Sequence, residues 1–169
     1  MTIAAFLAEQ LEREAPPTRR ILERVPEGKP DWKPHEKSMP LGYLSQLVAT
    51  MPGWIAMEIR QDTLDLKPVS GPAYAPPDTG TTARLLKAFE DSMGQAREAL
   101  RTTTDAHLAT RWQLLVSGRV VSEDARHNVV ADTFTHLAHH RGQLSVYLRL
   151  LAIPVPSIYG PTADDQTFG

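Results

Sequence analysis

Three histidines stand within one short stretch, His136, His139 and His140 in THLAHH. The chain has no cysteine, so imidazole must carry any soft-donor chemistry, and disulfides, thiolate metal sites and cysteine nucleophiles are excluded. Residues four apart on a helix are axial neighbours about 6 Å apart, so His136 and His140 can turn two imidazoles toward one ion, as in other His-x-x-x-His sites. That supplies two ligands where a site needs three or four. A neutral imidazole also fixes its other nitrogen on a carboxylate or amide, for which Asp132 and Gln143 stand nearby. The same spacing suits two core-edge histidines hydrogen-bonded across helices, and both readings stay open.

The element that must position these rings is the last helix, expected from about Asp124 to Leu151. Val130, Phe134, Leu137, Leu144, Leu148 and Leu151 recur at helical spacing, with Arg141 in the one polar slot of the series. At about 100° per residue, and with His136 at zero, the leucines gather between roughly 60° and 120° and His140 falls at about 40°, inside their arc. His136 takes the rim of that arc and His139 lies among polar positions. Pro154 ends the helix.

Earlier in the chain, Thr2 can cap a first helix with a stripe through Phe6 and Leu11, which Pro16 and Pro17 should kink or break. PEGKPDWKP (26–34) reads as a loop pinned by Trp32. Ser38 can cap the next helix, with Pro40 in its first turn; Leu41, Leu44, Leu47, Val48 and Met51 make its stripe, and Pro52-Gly53 bends it. Four prolines between Leu66 and Thr79 mark a crossover. Leu85, Leu86, Phe89, Met93, Ala96 and Leu100 define a further helix capped by Thr81 or Thr82. RWQLLVSGRVVS (111–122) gives two β-branched runs around Ser117-Gly118, a small hairpin. The tail, with Pro154, Pro156 and Pro161, should pack as an extended strap, and Asp164-Asp165 reads as its solvated end.

At 169 residues, 41% apolar and 22% charged, the chain is expected to form one domain, residues 1–169. A net charge of −2 lacks the basic excess that phosphate binding needs, so nucleic acid is not expected as a partner. No apolar run approaches the roughly 18 residues of a membrane span, and the first helix is amphipathic, unlike a signal peptide. A soluble, cytoplasmic protein without a membrane partner is expected. G-x-S-x-G, Walker and G-x-G-x-x-G patterns do not occur, which leaves a nucleophile elbow and a glycine phosphate loop without support. Trp32, Trp54 and Trp112 read as core anchors, and His35, His107 and His127 as surface or capping residues.

WKPHEKSMPLGYLSQLVATMPGW (32–54) and THLAHHRGQLSVYLRLLAIPVPSIYGPTADD (135–165) together resemble the DinB/YfiT-like family over nearly the whole chain. The resemblance implies an all-α fold: a four-helix bundle with a Pro-rich crossover and a small β-hairpin before the last helix. It also implies a metal site of three histidines holding zinc, nickel or a similar divalent ion, with His136 and His140 as the last-helix pair. The second-helix histidine of the family pattern L-x-x-H-V-x-x-x-P-G-W corresponds here to Leu47, an aliphatic residue. Gln46 points about 100° away on the wheel, so a third donor would have to come from elsewhere, such as Glu58 or a loop residue. Homodimers are a further expectation from the resemblance.

Two functions follow. One is a metal-dependent hydrolase or thiol-type transferase, with an ion on His136 and His140 activating water or a thiolate. The other is a non-catalytic bundle that binds a small apolar molecule or a partner protein in the vestigial pocket and keeps the histidines as structural polar groups.

Overall fold

Apolar residues at helical spacing dictate most of the architecture. The computed structural model describes residues 1–69 and 79–168. The helices are α1 (Ile3–Leu22), α2 (Leu41–Thr50), α3 (Pro52–Arg60), α4 (Thr82–Thr102), the single turn α5 (Asp105–Leu108) and α6 (Arg126–Leu150). The strands are β1 (Thr63–Asp65), β2 (Arg111–Val116) and β3 (Arg119–Ala125). α1, α2 and α3 all pack on α4 and α6. Their shared core joins Leu11 and Ile21 of α1, Leu44 and Val48 of α2, Ile55 of α3, Phe89 and Met93 of α4, and Leu137, Leu144 and Leu148 of α6.

α1 is unbroken through Pro16 and Pro17, so of the expected kink or break the break does not occur. Two prolines remove two intrahelical donors, yet the buried stripe continues past them through Glu14, Thr18, Ile21 and Leu22. On that buried face Thr18 Oγ1 donates to the Glu14 carbonyl at 2.6 Å and the Arg141 guanidinium reaches the same oxygen, tying the turn that holds the prolines to α6. At the helix start, Thr2 Oγ1 accepts from Ala5 N, and the Asp105 carboxylate accepts from Ile3 N and Ala4 N. An acid at a helix N-terminus satisfies free N–H groups and the dipole together.

Ser38 does not cap α2. The N-cap is Pro40, without a side-chain hydrogen bond, and Gly42 N instead donates to the Pro30 carbonyl at 2.9 Å. A Cβ on Gly42 would sit 3.0 Å from Pro30 Cβ, so glycine there permits the loop to close on the helix. Pro52 starts α3 after Met51, as the Pro-Gly pair predicts, and Thr81 caps α4. The crossover falls largely on residues 70–78, outside the described residues.

The expected hairpin is present, with Ser117 and Gly118 both at positive φ in its turn. It is not alone. β1 adds to β2 in parallel, giving a three-stranded sheet in the order β1-β2-β3, so the fold is mostly helical and not all-α. Three residues are too few for a periodic signal, which is why β1 was illegible. Its Asp65 holds the hairpin turn, accepting from Ser117 N and Gly118 N.

The tail packs as a strap, with Val155, Pro156 and Ser157 buried. Its two aspartates are not merely solvated: Asp164 accepts from Val155 N and Asp165 from Ser157 N, both at 2.9 Å. The backbone N–H of Ser157, with those of Thr167, pulls the Asp165 carboxyl down to about 2. Among the described residues, no helix is long and apolar enough to cross a membrane.

Candidate functional site

α6 places His140 inside and His139 outside, as the wheel predicts, whereas His136, expected to face inward from the rim, is exposed. The two rings one turn apart meet. His136 Nε2 and His140 Nε2 are 2.9 Å apart, and His140 Nδ1 lies 2.8 Å from Gln143 Oε1. Gln143 Nε2 is 3.0 Å from His139 Nε2.

These contacts fix a direction of donation. Gln143 Oε1 can only accept, so His140 donates through Nδ1 and accepts at Nε2; His136 therefore donates through Nε2, and the Gln143 amide donates to His139. The chain is complete with all three rings neutral. Burial, then the neighbouring His140 and His139, holds the His136 pKa below its ordinary value. Trp54 packs edge-on to His136, with ring centroids 5.4 Å apart.

Asp132, named from sequence as a possible orienter, does not bond these rings; Gln143 does. Leu47 packs half-buried against the core. Among the described residues, no group of three or more His, Cys, Asp or Glu is placed to hold a metal ion. Two imidazoles satisfying each other at hydrogen-bond distance, without a third donor, do not fit the ligand set of a resident zinc-type ion.

His136 stands at the edge of a cleft of about 960 Å³ between the helices and the sheet. Trp54 and Met57 of α3, Ala88 of α4, and Leu64, Trp112 and Leu114 from the sheet side give it apolar walls.

Within this wall lies Glu58, only 4% exposed. Its carboxyl oxygens accept from Thr133 Oγ1 at 2.9 and 3.1 Å. Burial is the main cause that raises its pKa to about 7; Thr133 works against this and the Asp132 charge adds to it. Sequence reasoning named Glu58 only as a substitute ligand. The legible signal was a carboxylate on the stripe of Ile55 and Ile59. Thr133 and the sheet side of the cleft were missed, because they depend on β1 and on how α6 meets α3.

Arg126, fully buried at the start of α6, anchors this arrangement. Its guanidinium donates to the Glu58 carbonyl, to Gln61 O at 2.5 Å and to Asp62 Oδ1 at 2.7 Å, so it caps the C-terminal end of α3. His107 Nε2, 2.7 Å from Ile59 O, braces the same end, and His127 Nδ1 is 2.9 Å from Leu108 O. These two histidines tie elements together and are half-buried, unlike the surface or capping roles their sequence positions suggest.

No protein-family model and no curated protein matches the chain in sequence. Solved structures do match. A DinB-like protein from Bacillus cereus aligns with a TM-score of 0.68 and 18% identity, over 90% of this chain and 95% of its own. The DinB-like protein YjoA from Bacillus subtilis aligns with a TM-score of 0.63 and 16% identity, over 86% and 92%. The mostly helical architecture built around α6 and its histidines is thus the fold of the DinB-like proteins.

Proposed function

We propose that this protein is a metal-independent small-molecule-binding member of the DinB-like fold, with α1, α2–α3, α4 and α6 acting as a four-helix bundle whose α3, α4 and α6 wall the cleft together with the sheet. The observation that carries this reading is the cleft itself. About 960 Å³ of space lies between mostly apolar walls, within the size and character of ligand sites. Beside it, His140 spends both its nitrogens on Gln143 and on His136 Nε2, which favours a structural polar role.

The enzymatic alternative is a metal-dependent hydrolase or thiol-type transferase. It draws support from the convergence of the His136 and His140 Nε2 atoms and lacks a third donor.

The test is a titration of chelator-treated protein with n-decanol, followed by the fluorescence of Trp54 and Trp112 in the cleft walls. Saturable binding is expected, weakened roughly tenfold or more by Ala88→Phe, which fills the cleft. Binding that requires added zinc would favour the enzymatic alternative, and no binding with or without zinc would refute the proposal.

A further inference from the structure

The polar part of the cleft wall is incomplete in a specific way. Glu58 is 4% exposed, and the Thr133 hydroxyl is its one hydrogen-bond donor among the described residues. A carboxylate has about four acceptor sites, and burying one with so few donors is costly unless something else pairs with it. Buried polar groups are ordinarily satisfied, so Glu58 points to a bound molecule that completes it.

The charges around Glu58 indicate the sign of that molecule. From α6, Asp132 faces the cleft, is exposed, and forms no ion pair among the described residues. From α4, the Lys87 ammonium is held by Asp91 at 2.7 and 2.9 Å, and Arg84 stands on the same side. From β3, Glu123 is matched by Arg111 outside the cleft, whereas Asp124 accepts, among the described residues, from Asn128 and the Ala125 amide. His136, the remaining titratable group on the wall, is neutral in its hydrogen-bonded chain. Acid therefore exceeds base along the wall, with Glu58 and Asp132 supplied by adjoining elements.

Resting on the small-molecule reading above, we infer that the cleft takes an amphipathic amine, with its apolar body against Trp54, Met57 and Leu114 and its ammonium between the carboxylates of Glu58 and Asp132. A cationic N–H to a carboxylate is a strong, charge-assisted contact, and more so where water is excluded. An alkyl alcohol of equal length would keep the apolar contacts and lose the charge. An alkyl carboxylate would meet like charge.

The experiment compares n-decylamine, n-decanol and n-decanoate on the full chelator-treated chain at pH 8, by tryptophan fluorescence and calorimetry. Decylamine is expected to bind roughly tenfold or more tighter than decanol, and decanoate weakest. Glu58→Gln and Asp132→Asn are each expected to bring amine and alcohol within about threefold of one another. Asp132 is exposed, so its variant carries the test even where Glu58→Gln folds poorly. Equal affinities, a preference for decanoate, or an amine preference that survives both substitutions would overturn the inference and leave the apolar cleft standing. Failure of all three probes to bind would overturn the cleft reading as well.

Discussion

His136 and His140 share one proton across a 2.9 Å Nε2–Nε2 contact. Each Nε2 is therefore satisfied by the other, and a third nitrogen is not needed to explain why two imidazoles face each other one turn apart on α6.

The tautomers follow from that relationship. Long-range proton–nitrogen spectra at pH 7.5 should show His136 protonated on Nε2 and His140 on Nδ1. His136 should titrate below the ordinary histidine value, because burial and then the adjacent His140 and His139 oppose its charge. An Nδ1–H tautomer at His136, or titration above the ordinary value, would contradict the hydrogen-bond chain.

Glu58 makes stability depend on pH. Its folded pKa of about 7 lies above the ordinary 4.5, so over that interval the folded state holds a proton that the unfolded state has released. The stabilisation is complete below about pH 4.5 and lost as pH rises through 7, a change of about 3 kcal/mol. Urea unfolding across this range should show the decline, and Glu58→Gln should flatten it. Asp132→Asn removes a like charge and should shift the decline to lower pH.

Arg141 is costly to truncate. Buried at 1% exposure, it donates to Glu14 Oε2 at 2.6 Å and to Thr18 Oγ1 at 2.7 Å, and bonds and stacks on Tyr159. Arg141→Ala strands a buried carboxylate and should cost about 3–5 kcal/mol in denaturant unfolding. Replacing both partners, Glu14→Met with Arg141→Met, should recover most of that loss.

The tail should detach in acid before the helices unfold. Asp165 is held to about 2, chiefly by the Ser157 N–H, so its contribution is present above the ordinary carboxylate range and is lost as pH falls toward 2. Limited pepsin digestion between pH 4 and 2 is expected to release the segment after Pro154, with Asp165→Asn releasing it at higher pH.

Where side-chain period decided the structure, the sequence was sufficient: the α6 wheel put His140 inside and His139 outside, and both stand there. The Ser117-Gly118 turn was legible because positive φ leaves few residue choices. Local rules failed where distant partners intervened. Pro16 and Pro17 read as a kink or break, yet α1 runs on unbroken, its buried face held by the Arg141 guanidinium, 127 residues away from Glu14. The hydrogen-bond partners of Asp164 and Asp165 arise from a tail folding back on itself. Glu58 and Thr133 are 75 residues apart, and no spacing rule links them; the cleft they share exists only once α3, α6 and the sheet are assembled.

The central claim is that this cleft works without a resident metal, and elemental analysis by plasma mass spectrometry of untagged protein saturated with n-decanol tests it most directly. The account predicts less than about a tenth of an equivalent of zinc, nickel or any other transition metal per chain. Close to one equivalent, lost on His136→Ala or His140→Ala, would contradict it.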